Sequence, residues 1–517
     1  MKRYLQLLIA FVIGVGIFCG VNYGESLFLP AFSRENSDDR QKISLQTNSY
    51  LEKVRQDKKL LRVFLQKMPK GGELHTHLSG DITPERLLEL AAQSKQIKYF
   101  VRVPNQSFSA DDPKAYQFVA LSPDTEPPSQ NSNHTLIPVS QLLNPQTESE
   151  RQQKEKYRQA LMISETEPDP NTVFFNATFA RSDVVTSNPE IVRQMLADVV
   201  EKAHKHHISY VEPMLSPFPG NPLGKDKADE YKVLNLTTAR EYLTSLIAAV
   251  EQANQQLPKN ERVEVRFMLS FRRTSAKQFT QLPIAFELAA ANDKIGKMIA
   301  GINLVGNEYS TDPDIGQAIA QPDKISNYII ALRRLYPSVR LSIHAGESDK
   351  WDWHIRDSIL LGAERIGHGV NLVTSPEAKS VKQICDAVKS DTTFLGKSPE
   401  ESLMRRRGIL IEACPTSNHL LLKIPFTCHP FKKWLRMGIP VSLNTDDAGI
   451  FGTNITEEFA RAIESQPDLS WEEVKKIARA SLEHAFVSES TQTELIKNWE
   501  MQIKQFEVAI NQESLKS

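Results

Sequence analysis

The sequence predicts a (β/α)8 TIM-type barrel with an N-terminal helical extension and a long inserted loop. Three observations carry this. Apolar, β-rich runs alternate with helix-like stretches along most of the chain. With the strand-like run at 73–77 they number eight, as this barrel requires. Polar residues able to do chemistry fall at the C-terminal ends of several of these runs, the face where such barrels build their sites. A doubly wound open sheet would alternate in the same way, but its first strand would lead into a Gly-rich phosphate turn, which is missing here.

The runs are Glu73–His77, Ile208–Met214, Val263–Phe271, Gly301–Val305, Leu341–His344, Arg365–His368, Ile409–Cys414 and Val441–Asn444. Helical patterns between them include Pro189–His204, Thr237–Gln256, Asp323–Leu335 and His429–Met437. A further helix from about Ser49 to Met68 leads into Pro69-Lys-Gly-Gly and the first strand. Thr83 followed by Pro84 marks a helix start, a hydroxyl cap and then Pro at the first helical position, with the helix running to about Gln93. From about 98 to 165, Pro, Ser, Asn, Gln and Asp dominate, and the expectation is a surface insertion or lid without a core of its own. The resulting division is residues 1–25, an extension over 26–67, and the barrel over 68–510.

The bulk numbers leave room for this. A chain of 517 residues holds one large domain with insertions, and 40% apolar with 24% charged residues is ordinary for a globular protein. The formal net charge is -1, from 62 basic and 63 acidic residues, so no global charge favours nucleic acid or an anionic surface. A small neutral substrate is expected. Lys2 and Arg3 precede an apolar run from about Leu7 to Val21, which reads as an export signal or membrane anchor. The run is long for a cleaved signal and short for a membrane span, and Phe18 is bulky where a lipoprotein site at Cys19 wants a small residue. Cleavage, lipidation and membrane attachment through residues 4–21 stay open, while export, periplasmic or extracellular, is expected in each case. The four cysteines, Cys19, Cys385, Cys414 and Cys428, contain no C-x-x-C pair, which excludes a zinc ribbon. So sparse a set also argues against a disulfide framework.

Residues two apart on a strand face the same side, so His75 and His77 project together as a ready chelate. His344 and His368 end two further strands, and Asp446 and Asp447 follow the last. Three imidazoles with a carboxylate suit one zinc ion with a position left for water, whose pKa the metal lowers. Glu347, three residues after His344, lies on the loop above that strand and is placed to donate a proton. The cluster His204, His206 and His207 falls at a helix end, where cations suit the dipole. His354 follows the His-Ala-Gly-Glu segment closely, Glu212 lies on the second strand, and Phe174, Phe175 and Phe179 read mainly as packing.

PKGGELHTHLSGDITPERLLELA, HAGES, RIGHG, CPTSN and SLNTDD occur in this order and at the expected strand ends. In this the sequence resembles the adenosine deaminase family of the amidohydrolase superfamily, over about residues 68–95 and 170–500. The lead-in, the signal-like start and the length look closer to its secreted, growth-factor-related branch. The resemblance implies that His75, His77, His344 and Asp446 ligate zinc. It implies that Glu347 protonates purine N1, and that His368 takes the proton of the attacking water and orients it. Asp447 would hold the attacking hydroxide or the N7 side, Gly306 would offer its N–H to N3, and His77 would also face the substrate. Adenosine or 2′-deoxyadenosine would become inosine or 2′-deoxyinosine with release of ammonia. A sibling aminopurine nucleoside or modified adenine is the alternative substrate. A non-catalytic binding protein on the same barrel would be expected to have lost Glu347 or a ligand, and this chain keeps them all. No phosphate-binding cluster stands out. Ala448-Gly449 replace a common Pro, and Asn303 and Asn307 stand where acids are expected, departures that bear on the substrate more than on the chemistry.

Overall fold

The computed structural model describes residues 37–127, 133–223, 235–273, 278–308, 326–348, 354–373, 380–389 and 399–514. Residues 1–25 lie outside them, as do residues 26–36 of the expected extension. The chain divides into Met1–Ile43 and Ser44–Ser517, and the second unit holds every strand and the candidate site.

Its strands, in order, are β1 (Gly71–His77), β2 (Lys98–Pro104), β3 (Gln117–Leu121), β4 (His134–Pro138), β5 (Ile208–Leu215), β6 (Glu264–Val265), β7 (Phe267–Arg272) and β8 (Ile299–Val305). They continue with β9 (Leu341–Ala345), β10 (Arg365–His368), β11 (Leu410–Ala413) and β12 (Val441–Leu443). One parallel sheet runs β1-β5-β7-β8-β9-β10-β11-β12. A bridge between Thr76 and Asp446 joins its ends, and two backbone hydrogen bonds of 3.0 Å, Asp446 N–H to His75 and His77 N–H to Asp446, seal the seam. The sheet is a (β/α)8 barrel, as expected, with helices such as Pro189–Lys205 and Leu236–Gln255 packed outside. Each predicted run overlaps one of these barrel strands, with ends that differ by no more than a few residues. Buried on both faces, they read as continuous apolar runs.

The helix after β1 spans Pro84–Gln93, with the Thr83 side chain accepting from the Arg86 N–H. The expected Ser49–Met68 helix is broken in two, Ser37–Val54 and Lys58–Lys67, because Asp57 caps the second by accepting from Lys59 and Leu60. No helix among the described residues is long and apolar enough to cross a membrane.

Two expectations need correction. The 98–165 insertion is not a long loop but carries secondary structure: β2 pairs antiparallel with β3 and β4. Val101, Phe118 and Tyr157 from it are buried in the same apolar cluster as the barrel, and the Tyr157 hydroxyl donates to the Pro84 carbonyl at 2.8 Å. Its polar composition belongs to the turns, and the few alternating apolar residues suffice for three short strands. The cysteines also do pair: Cys385 and Cys428 form a disulfide with Cα atoms 4.7 Å apart. Sequence spacing does not report that the helix Val381–Lys389 packs beside the turn Phe426–Cys428.

Candidate active site

The seam that closes the barrel also assembles the site. Hydrogen bonding on both sides of Asp446 sets its carboxylate beside the two β1 histidines: Oδ1 lies 3.5 Å from His75 Nε2 and 3.3 Å from His77 Nε2. His77 Nε2 is 3.1 Å from His344 Nε2 at the end of β9. The His75 ring is centred 4.4 Å from that of His344 and 4.8 Å from that of His368. Ligand atoms of His75, His344, His368 and Asp446 lie within 4.8 Å of one another, as do those of His77, Asp446 and Asp447. Glu347 Oε2 stands 3.8 Å from His368 Nε2. So the predicted His75, His77, His344, Asp446, His368, Glu347 and Asp447 converge.

Local backbone makes this density achievable. His368 (φ 65°) and Asp446 (φ 61°) sit in the left-handed region that side chains other than Gly rarely adopt, a strain held by the surrounding ladder. Gly367 must lack a side chain, since a Cβ there would lie 2.8 Å from the His75 ring. Gly80 is required likewise, because its Cβ would fall 1.7 Å from Asp447 Oδ1.

The first ring of side chains is braced by a second. Glu412 Oε2 is 2.7 Å from His75 Nδ1, so the carboxylate accepts from that nitrogen and leaves Nε2 for the cavity. Asn303 Oδ1 accepts from His344 Nδ1 at 2.9 Å, and Asn303 in turn donates to Ser342 Oγ at 3.2 Å. The amide noted as a departure therefore orients a histidine. Glu308 accepts the N–H groups of Gly346 and Glu347 and lies 2.6 Å from His354 Nδ1. That clamp fixes the loop carrying Glu347, and it places His354 beneath the loop, not on the cavity wall. His204 pairs with Glu261 and His206 with Thr456, and among the described residues they form no metal cluster. Glu412, Glu308, Asn418 and His429 were not singled out from the sequence. Only the CPTSN motif pointed toward one of them.

Electrostatics divide the acids by role. Burial and the charges of Asp446 and Glu308 push the Glu347 carboxyl well above the carboxylate range. Burial and the adjacent Asp446 do the same to Asp447, while for Asp446 the close imidazoles of His75, His368 and His77 outweigh burial and hold it far below. Burial lowers His77 and His368 to about 4 and takes His344 down well below the usual imidazole value. Burial acts on His75 too, but Asp446 and Glu412 outweigh it and bring this ring up to about 9. His75 Nε2, His368 Nε2, Asp446 Oδ1 and Asp447 Oδ1 are buried without a hydrogen-bond partner. Unpartnered atoms gathered in the two overlapping groups of ligand atoms fit a metal ion and its attached ligand.

A cavity of about 750 Å³ opens above the cluster, in the range of small-molecule sites. Gly306 (φ 100°) ends β8 on its wall, next to Asn307. Phe174, Phe175 and Phe179 line it too, and so face the cavity as well as packing on Phe451 and one another. Arg272, at the end of β7, also lines it and lies over the Phe179 ring at 5.8 Å.

A (β/α)8 barrel with a His/Asp cluster and a buried glutamate at its C-terminal end fits a hydrolase. The family described as adenosine deaminase matches residues 153–501, and the chain belongs to that family, whose members are hydrolases of C–N bonds in cyclic amidines. Over 321 residues it is 24% identical to N6-methyl-AMP deaminase of Bos taurus, covering 61% of this chain and 77% of the relative. Over 320 residues it is 26% identical to adenosine deaminase of Clostridium perfringens, covering 61% and 80%. Among solved structures it resembles adenine deaminase of Arthrobacter aurescens (TM-score 0.54, 18% identity, covering 84% of this chain and 99% of that one). It also resembles Arabidopsis ADAL complexed with IMP (TM-score 0.55, 18% identity, 86% and 99%). The expected kinship with the secreted, growth-factor-related branch finds no counterpart among these relatives.

Proposed function

We propose that the protein is a zinc-dependent deaminase that converts adenosine or 2′-deoxyadenosine to the corresponding inosine and ammonia. The observation that carries this reading is the meeting of the imidazole and carboxylate cluster with the buried Glu347 under one cavity. His75, His77, His344 and Asp446 would hold the ion, which when bound supplies Lewis-acid activation of water. Glu347 gives its proton to purine N1, which makes C6 electrophilic. Asp447, whose carboxyl burial and the adjacent Asp446 push upward, offers an O–H to the N7 side. The Gly306 N–H meets N3, His77 borders the ring, and His368 faces the attacking oxygen.

Arg272 favours a second reading. It lines the cavity, and among the described residues it makes no ion pair. An aminopurine nucleoside monophosphate would bring it one, and a relative is named for such a substrate. An ultraviolet assay of the metal-loaded protein with adenosine, 2′-deoxyadenosine and the monophosphates, with and without chelator, separates the readings. Absence of turnover with every aminopurine would sink both.

Export is supported by the basic and apolar start and by the Cys385–Cys428 disulfide, a bond that persists in oxidising compartments. Cell fractionation tests it, and recovery in the cytosol with both thiols free would refute it.

A further inference from the structure

Asn418 and His429 take no part in the chemistry proposed above, yet they form a buried chain that ends on His368. The chain is readable from its far end. The Phe431 backbone N–H points at His429 Nδ1 over 3.4 Å, so that nitrogen accepts and the ring proton sits on Nε2. His429 Nε2 lies 3.1 Å from Asn418 Oδ1, which accepts from it. The amide orientation follows: Asn418 turns its NH2 group toward His368, with Nδ2 3.1 Å from Nδ1. An NH2 group can only donate, so His368 Nδ1 accepts and the proton of this imidazole is on Nε2. That nitrogen has no protein partner and lies 3.8 Å from Glu347 Oε2.

We infer that Asn418 and His429 are positioning residues that lock His368 as its Nε2–H tautomer, so that it donates a hydrogen bond to the attacking oxygen and takes no proton from it. This rests on the deaminase reading and reverses the role that family resemblance implies for His368. A nitrogen carrying hydrogen is no metal ligand either, which leaves His77 to complete the imidazole set. Proton balance then falls to Glu347. It gives its proton to N1, the O–H bond of the attacking water breaks as oxygen bonds to C6, and the released proton returns to the Glu347 carboxylate. From there it passes to the departing amino group, which leaves as ammonia when the C6–N bond breaks, and the remaining C6 hydroxyl proton goes to Glu347 as the carbonyl forms, restoring the acid.

Asn418→Asp tests the lock with almost no change of shape. A carboxylate accepts from both sides, so it keeps the His429 bond but draws the His368 proton onto Nδ1. The expected result is a fall in kcat of about a hundredfold or more, the scale of one lost hydrogen-bond donor to developing charge, with KM and metal content nearly unchanged. Nitrogen NMR of the metal-loaded, 15N-histidine-labelled protein, with His368→Ala to assign the signals, should show a pyridine-type Nδ1 in the unmodified protein. In N418D the pyridine-type nitrogen should move to Nε2. Full activity in N418D, or a proton on Nδ1 in the unmodified protein, overturns the inference. Should N418D fail to fold, His429→Gln keeps a donor to Asn418 and should retain most of kcat, whereas His429→Leu should lose it; equal losses would overturn the lock. Failure of the unmodified protein to turn over any aminopurine defeats the deaminase reading instead, and leaves the NMR result standing.

Discussion

Two clusters of buried charge share this barrel, and they are built on opposite terms. Midway down the interior, Arg365 lies between Glu212 and Glu412, all three fully buried. Glu212 accepts from Arg365, from the Tyr210 hydroxyl at 2.5 Å and from the Phe486 N–H at 3.1 Å. Arg365 also donates to the His484 carbonyl at 3.0 Å and lies over the Phe486 ring at 3.7 Å. Its Nε is 2.7 Å from Glu412, a close ion pair with poor hydrogen-bond alignment. Nearly every valence is used within the protein. At the C-terminal end, His75, His368, Asp446 and Asp447 keep buried atoms with no partner, and their charges are unbalanced enough to drive two carboxyls up and one down. A satisfied network stabilises a fold; an unsatisfied one facing a cavity is arranged for a guest. Glu412 belongs to both, since it holds Arg365 with one oxygen and His75 with the other.

That contrast can be broken from either side. Glu347→Gln should have the largest effect on rate: a loss of kcat of about 10²–10⁴-fold, with metal content and Tm unchanged, read by steady-state kinetics and metal analysis. Retained activity would show that the upper cluster does not use this acid. Arg365→Met strips the lower cluster of its cation and leaves two buried carboxylates facing each other. A cost of about 3–5 kcal/mol is expected, measured by denaturant unfolding. A neutral outcome would mean the network is not structural. Glu412→Gln, at the junction, should weaken metal binding by about 10–100-fold in chelator competition, a smaller loss than removing a ligand. Arg272→Ala should be mildest, changing KM for monophosphates while leaving that for nucleosides alone. A uniform change would remove Arg272 from substrate choice.

Much of the site was legible because strand geometry is local. The His75–His77 pair, and the placing of His344, His368, Asp446 and Asp447 at strand ends, need only the two-residue period and the barrel rule. Glu347 follows from the loop just beyond, whereas Gly306 came only through the resemblance to the family. The bracing residues were not legible, since each meets its partner across a large separation in sequence. Glu412 reaches His75 from 337 residues away, and Asn418 reaches His368 from 50. Polar turns likewise hid the strands of the insertion.

What the sequence by itself determined is therefore the barrel, the family and the set of reactive side chains, because periodicity and motif order report on neighbours along the chain. Only the tertiary structure decided how those side chains are charged and protonated. It joined Asp446 to β1 at the seam and buried Glu347 beside other acids. It also linked Cys385 to Cys428 and ran a hydrogen-bond chain from His429 to His368. Burial and orientation set the proton positions, and these arise only when distant segments close on one another.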